Sequence, residues 1–263
     1  MKSIILFSLS LITVMSCQPQ DTSEAEESYF HDGIRWIGEN ETANYLAISG
    51  LNHYVNIELA PAYVMSKHAV EVDSSLFASH TLLAILTRGD ERLMHKEMAN
   101  KYVANENEVS KLFVSLLDIE NDSTLEQRRA AWTKMHELSN GPFIHYMYIR
   151  FMDIAKDTAA VLSELDNLIA ICNEQGVTSI EAASYNIKGY ILQLNGDLEG
   201  GTQAIDKYVE LYPDGYNALD SRAEFYLFAG DTIAAIEMYE RVLEKYPFST
   251  AAQNHLRDLR GDQ

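Results

Sequence analysis

Beyond an apolar run at its start, the chain places apolar residues mainly three and four positions apart, and no convincing alternation of period two appears. Spacing of this kind puts the apolar side chains on one face of a helix, so the pattern predicts helices and no sheet. Breaks in the periodicity separate Glu41–Tyr54, Leu59–Val72, Leu76–Thr87, Glu91–Tyr102, Glu106–Ile119, Leu125–Leu138 and a helix from Pro142 to Ala155, with a last helix over Ser249–Leu259. Pro61, Pro142, Pro213 and Pro247 fall where a helix begins or has just ended, as a residue without a backbone donor must. Ser123 followed by Glu126 reads as a capping box opening the helix at Leu125. Arg88-Gly89-Asp90 marks a turn, and Asn173 to Ser179 reads as a long exit loop.

The chain also matches itself at a spacing of 34 residues. Gly196-Asp197 recurs as Gly230-Asp231, Tyr212-Pro213 as Tyr246-Pro247, and Asp206-Lys207 as Glu240-Arg241. A fixed period of this size marks stacked units that bury their apolar faces only against neighbours. These units resemble tetratricopeptide repeats, in which two antiparallel helices meet at a Gly-Asp turn and a proline closes the unit. Tyr185, Gly189, Gly196-Asp197, Gly201 and Pro213 fill the pattern in one unit, spanning 182–215. Leu219, Ala223, Gly230-Asp231, Ala235, Tyr239 and Pro247 fill it in the next, spanning 216–249. Lys188 and Arg222 match a basic variant of the pattern, and the small residues let paired backbones approach. Upstream, Asp157-Thr158-Ala159-Ala160 echoes Asp231-Thr232-Ile233-Ala234, and Gly50, Ala62 and Ala69 hold small positions in the earliest pair. The resemblance implies an all-α, tetratricopeptide-like α-solenoid over 39–263, of about six helical hairpins and a C-terminal capping helix. Tyr29 to Ile37, with Phe30 and Trp36, is expected to cover the apolar end of the first pair.

The first sixteen residues combine Lys2 with an apolar run from Ile4 to Val14 that is too short to span a bilayer, so 1–16 reads as an export signal. Val14-Met15-Ser16-Cys17 resembles the bacterial lipoprotein box, which implies cleavage before Cys17 and acylation of its sulfur. Residues 17–38 then comprise the lipidated cysteine, an acidic tether containing Asp21, Glu24, Glu26 and Glu27, and the cover segment. Multiple acyl chains anchor a protein to a membrane surface without spanning it. The absence of Asp at Gln18 fits the lipoprotein tendency to leave the inner membrane, so the outer membrane is the expected address.

A net charge of −19 denies nucleic acid the basic footprint it needs. With Cys17 acylated, Cys172 has no partner for a disulfide and reads as a buried small hydrophobe. The eight histidines lie apart, with no His-Glu-x-x-His and no Cys/His cluster, and no serine occupies a Gly-x-Ser-x-Gly elbow. His80 and His145 read as core histidines, and the aromatic run Phe143 to Phe151 reads as core. Neither catalysis, a metal nor a cofactor is expected.

In the resembling scaffolds, partner peptides contact the groove lined by the first helix of each hairpin. The corresponding positions here are Asn186, Tyr190 and Gln193 in one unit, and Asn217, Asp220, Ser221 and Glu224 in the next. Amides and a phenol can hydrogen-bond an extended backbone. No lysine or arginine stands among them, so a clamp for C-terminal carboxylates is not expected. The resemblance thus implies a lipid-anchored scaffold for protein or peptide partners in the cell envelope. Two narrower readings are an outer-membrane assembly lipoprotein, from the motif Glu244-Lys245-Tyr246-Pro247-Phe248-Ser249, and a glycan-capturing lipoprotein, for which the chain is short.

Overall fold

The computed structural model describes residues 33–119 and 125–261. Cys17, the export signal, the acidic tether and Ser123 lie outside the described residues. Among the described residues there are thirteen α-helices, one 3₁₀ turn and no strand. Six hairpins follow one another: α1 (Glu41–Val55) with α2 (Leu59–Val72), α3 (Phe77–Leu86) with α4 (Gly89–Val103), and α5 (Glu108–Ser115) with α6 (Leu125–Leu138). The others are α7 (Pro142–Phe151) with α8 (Thr158–Gln175), α9 (Thr178–Leu194) with α10 (Leu198–Leu211), and α11 (Tyr216–Phe228) with α12 (Thr232–Lys245), before the final helix α13 (Thr250–Arg260).

The last two hairpins close by one local device. At the α9–α10 turn, Gly196 N donates to Gln193 O and Asp197 N to Leu192 O, and Gly196 has φ +85°. The α11–α12 turn repeats this with Gly230 to Leu227 O and Asp231 to Tyr226 O. The aspartate then caps the second helix: Asp197 accepts from Gly200 N at 2.9 Å, Asp231 from Ala234 N at 3.0 Å, and Asp157 from Ala160 N at 2.9 Å. Each carboxylate satisfies an orphan donor at the positive end of the helix. The close helix contact that follows needs glycine. A Cβ on Gly201 would lie 2.8 Å from the carbonyl oxygen of Gly189 and 2.9 Å from the Phe225 ring.

Several boundaries differ from the sequence pattern: the helix expected over Glu106–Ile119 is α5 followed by a 3₁₀ turn, Leu116–Asp118, and α4 already begins at Gly89. The helix from Pro142 stops at Phe151 rather than Ala155, because Met152 turns to extended backbone and Arg129 Nε donates to Phe151 O at 2.6 Å, covering the exposed carbonyl. The expected loop from Asn173 is instead a continuation of α8 to Gln175, ended by Gly176 at φ +70°.

The segment before α1 goes inward. Ile34, Trp36 and Ile37 are buried, and the Trp36 ring lies 5.5 Å from Phe113 and 5.1 Å from Phe143, on α5 and α7. Hydrogen bonds fix its path: Asn107 Nδ2 donates to Gly33 O at 2.7 Å, and Gly38 N donates to Asn44 Oδ1 at 2.7 Å. The described part of the expected cover thus packs into the middle of the solenoid. One apolar core runs from Ile34 to Ile191, taking in residues of the first five hairpins and Cys172. Smaller clusters around Ile205 and Tyr239 continue it to α13.

Candidate functional site

An open solenoid keeps its first hairpin apart from its fourth and fifth, but here they touch. The Tyr146 hydroxyl on α7 donates to Val55 O at the end of α1, at 2.9 Å. Asn56 Nδ2 donates to Ser179 O at 3.2 Å, and Ser179 Oγ to Asn52 Oδ1 at 2.7 Å. The centre of this closure is Glu58, whose side chain is 2% exposed. Its Oε2 lies 2.7 Å from His53 Nδ1 and accepts from the Tyr212 hydroxyl at 2.8 Å, while Oε1 accepts from Asn217 N at 3.4 Å.

Glu58 occupies the place that Asp197 and Asp231 hold in the later turns. Asn56 N, Ile57 N and Glu58 N bond back to Asn52, Tyr54 and His53 in the same pattern as those turns. Unlike those aspartates, Glu58 makes no side-chain cap to the helix it precedes. Its longer side chain reaches across the ring instead, and burial with Glu58 holds the Tyr212 phenol well above its usual pKa.

Five of the seven groove positions fall into two groups. Asn217 belongs to the closure, with its side-chain Nδ2 donating to the Tyr208 hydroxyl at 3.0 Å. Tyr190, Ser221, Asp220 and Glu224 come together between α9 and α11. The Tyr190 hydroxyl donates to Glu224, its counterpart 34 residues on. Ser221 is 3% exposed, and Gln193 is half-buried near the end of α9.

Asn186 and Asp220 are also counterparts one repeat apart, and each buries an Oδ1 with no hydrogen-bond partner. Asn186 is 6% exposed. Native structures rarely leave such acceptors unmatched. Burial, with the nearby Glu224 charge, pushes the Asp220 carboxyl up to about 6, against a downward pull from His255. Burial raises Tyr190 further, so it remains a donor.

Two histidine pairs lie elsewhere. His80 and His95 are buried, with their Nδ1 atoms 2.9 Å apart and His80 Nε2 3.1 Å from Ser74 O. Desolvation pushes His80 down to about 4 and lowers His95. His145 Nε2 lies 2.9 Å from Glu164, its Nδ1 is buried without a partner, and its ring lies 4.7 Å from that of His136. No group of three metal-capable side chains occurs among the described residues.

Neither a protein-family model nor a curated protein sequence matches this chain. Among solved structures it is similar to a chain of the APC/C hetero-tetramer Cut9–Hcn1, at 13% identity and a TM-score of 0.53 over 90% of this chain. This chain spans only 46% of that one. The fold is a tetratricopeptide-repeat α-solenoid. YrrB, described as a TPR protein with an unusual peptide-binding site, is 16% identical with a TM-score of 0.36, covering 89% of this chain and 97% of its own. PilW, a type IV pilus biogenesis factor, is 14% identical with a TM-score of 0.31, covering 83% of this chain and 100% of its own.

Sequence reasoning missed His53, Glu58 and Tyr212. A signal was present: Ile57-Glu58 stands where the later turns carry Gly-Asp.

Proposed function

We propose that this protein is a lipid-anchored docking scaffold of the bacterial cell envelope, which binds a segment of a partner protein on the α9–α11 face and makes or breaks no bond. The observation that carries this reading is the row of partly exposed polar side chains on that face, Tyr190, Gln193 and Glu224, with the Tyr190 hydroxyl donating to Glu224 one repeat on. An extended peptide offers backbone N–H donors at regular intervals, and successive repeats offer acceptors at regular intervals. No helix among the described residues is long and apolar enough to cross a membrane. Attachment rests on the resemblance of Val14-Met15-Ser16-Cys17 to a lipoprotein box, which would acylate Cys17, with the outer membrane as its address.

Photo-crosslinking from Gln193 and Glu224 in intact cells tests the docking face. A discrete adduct with a protein, lost on Tyr190→Ala, is the expected outcome; the absence of any adduct from both positions rejects the face. Cys17→Ser should move the protein from the membrane to the soluble fraction, and unchanged sedimentation with membranes rejects the anchor.

A further inference from the structure

A cleft of about 640 Å³ opens beside the first turn, lined by Tyr54, Ile57, Leu59, Val64, Leu86 and two arginines, Arg88 and Arg150. Three of its apolar side chains are left substantially open to solvent: Ile57 at 45%, Leu59 at 49% and Val64 at 44%.

Ile57 is the informative one. Its φ of +64° makes it the non-glycine residue with a left-handed backbone among the described residues, whereas the equivalent positions at the α9–α10 and α11–α12 turns are Gly196 and Gly230. For a β-branched residue this conformation is an outlier that the surrounding structure must enforce. Enforcement comes from the turn's three backbone bonds and from buried Glu58 beside it. Yet the strained side chain gains little burial in return, so the fold gives no reason for isoleucine where its own repeats use glycine.

The arginines add a second observation. In a chain of net charge −19, neither Arg88 nor Arg150 forms an ion pair among the described residues. Arg88 Nη1 donates to the neighbouring carbonyl of Thr87 at 3.0 Å, and the Arg150 guanidinium lies 5.8 Å from the centre of the Tyr146 ring. An apolar floor bordered by unpaired guanidiniums is complementary to an occupant with apolar side chains and carboxylates.

We propose that this cleft docks an acidic, amphipathic segment of a partner protein, with apolar side chains against Ile57, Leu59 and Val64 and carboxylates on Arg88 and Arg150. The proposal rests on the docking reading above and adds a second contact surface to it. Aromatic and aliphatic anchors in such clefts carry most of the binding energy, so Ile57 is its anchor.

The test is selection of short random displayed peptides on the full-length protein, followed by fluorescence anisotropy of the enriched peptides. Sequences combining acidic and apolar residues should enrich. Their affinity should fall about tenfold on Ile57→Gly, and at least as far on Arg88→Glu with Arg150→Glu. Ile57→Gly relieves the backbone, so its melting temperature should equal or exceed that of the parent, which separates lost binding from lost folding. Enrichment of basic peptides, or of acidic peptides indifferent to Ile57→Gly, overturns the proposal. Peptides that ignore the cleft variants but lose affinity on Glu224→Ala overturn it while leaving the docking reading intact, and no enrichment at all counts against both.

Discussion

The Tyr212 hydroxyl donates to Glu58 Oε2 at 2.8 Å, joining residues 154 positions apart in the chain. Repeat solenoids ordinarily hold together through neighbour contacts alone, and their stability is close to a sum over adjacent units. A contact between the first and fifth hairpins breaks that rule by coupling units that are not adjacent.

That coupling is measurable. Glu58→Ala removes the buried acceptor shared by Tyr212 and His53 Nδ1, which lie 3.2 Å apart and can still bond each other, and should cost about 2 kcal/mol. Tyr212→Phe removes one donor and should cost about 1 kcal/mol. Combined in a double-mutant cycle by urea denaturation, the pair should show a coupling of about 1 kcal/mol, and additive effects would mean the contact does not join the ends.

Trp36 tests whether the entering segment is structural. Its ring is 1% exposed and in contact with Phe113 and Phe143, so Trp36→Ala should cost about 3–5 kcal/mol. A residue that merely linked an anchor to a domain would change stability by less than about 0.5 kcal/mol. Thermal unfolding of the two proteins distinguishes these outcomes.

Gly201 should behave unlike an ordinary helical glycine. On an exposed helix, Gly→Ala stabilises by about 1 kcal/mol. Here the added methyl meets the backbone oxygen of Gly189 at 2.8 Å, and backbone cannot move aside as a side-chain tip can. Gly201→Ala should therefore destabilise, by about 1–3 kcal/mol, as read by urea midpoint.

The fold was legible wherever it is written locally. Gly196-Asp197 and Gly230-Asp231 announce their turns because the left-handed glycine and the capping aspartate are needed by the turn itself. Glu58 was not legible, since its partners Tyr212 and Asn217 belong to the fifth and sixth hairpins and no local rule reports them. Trp36 was read as a lid on the end of the stack for the same reason: an apolar residue outside the repeats shows that it will be buried, but not against which helix. The groove positions illustrate both cases. Their period places Tyr190 opposite Glu224, while the closure that takes Asn217 away from the groove is a long-range event.

Asp220 and His80 oppose one another in acid. Asp220 has a folded pKa of about 6 against an ordinary 3.8, so the folded state holds an extra proton between those values. Its contribution is therefore best at low pH and turns unfavourable as pH rises through about 4 to 6. His80 has a folded pKa of about 4 against 6.5, so the unfolded state binds the extra proton. Its contribution is intact above about 6.5 and is lost as pH falls towards 4. Asp220→Asn should thus raise stability at neutral pH by about 2 kcal/mol, allowing for partial solvent screening, and leave it unchanged near pH 4. His80→Gln should do the reverse: it removes the acid-induced loss, so the variant's stability falls less steeply than the parent's between about pH 6.5 and 4. Melting temperatures across this range decide it. If the two variants give parallel curves, neither group titrates as its burial requires, and the acid response lies elsewhere in the chain.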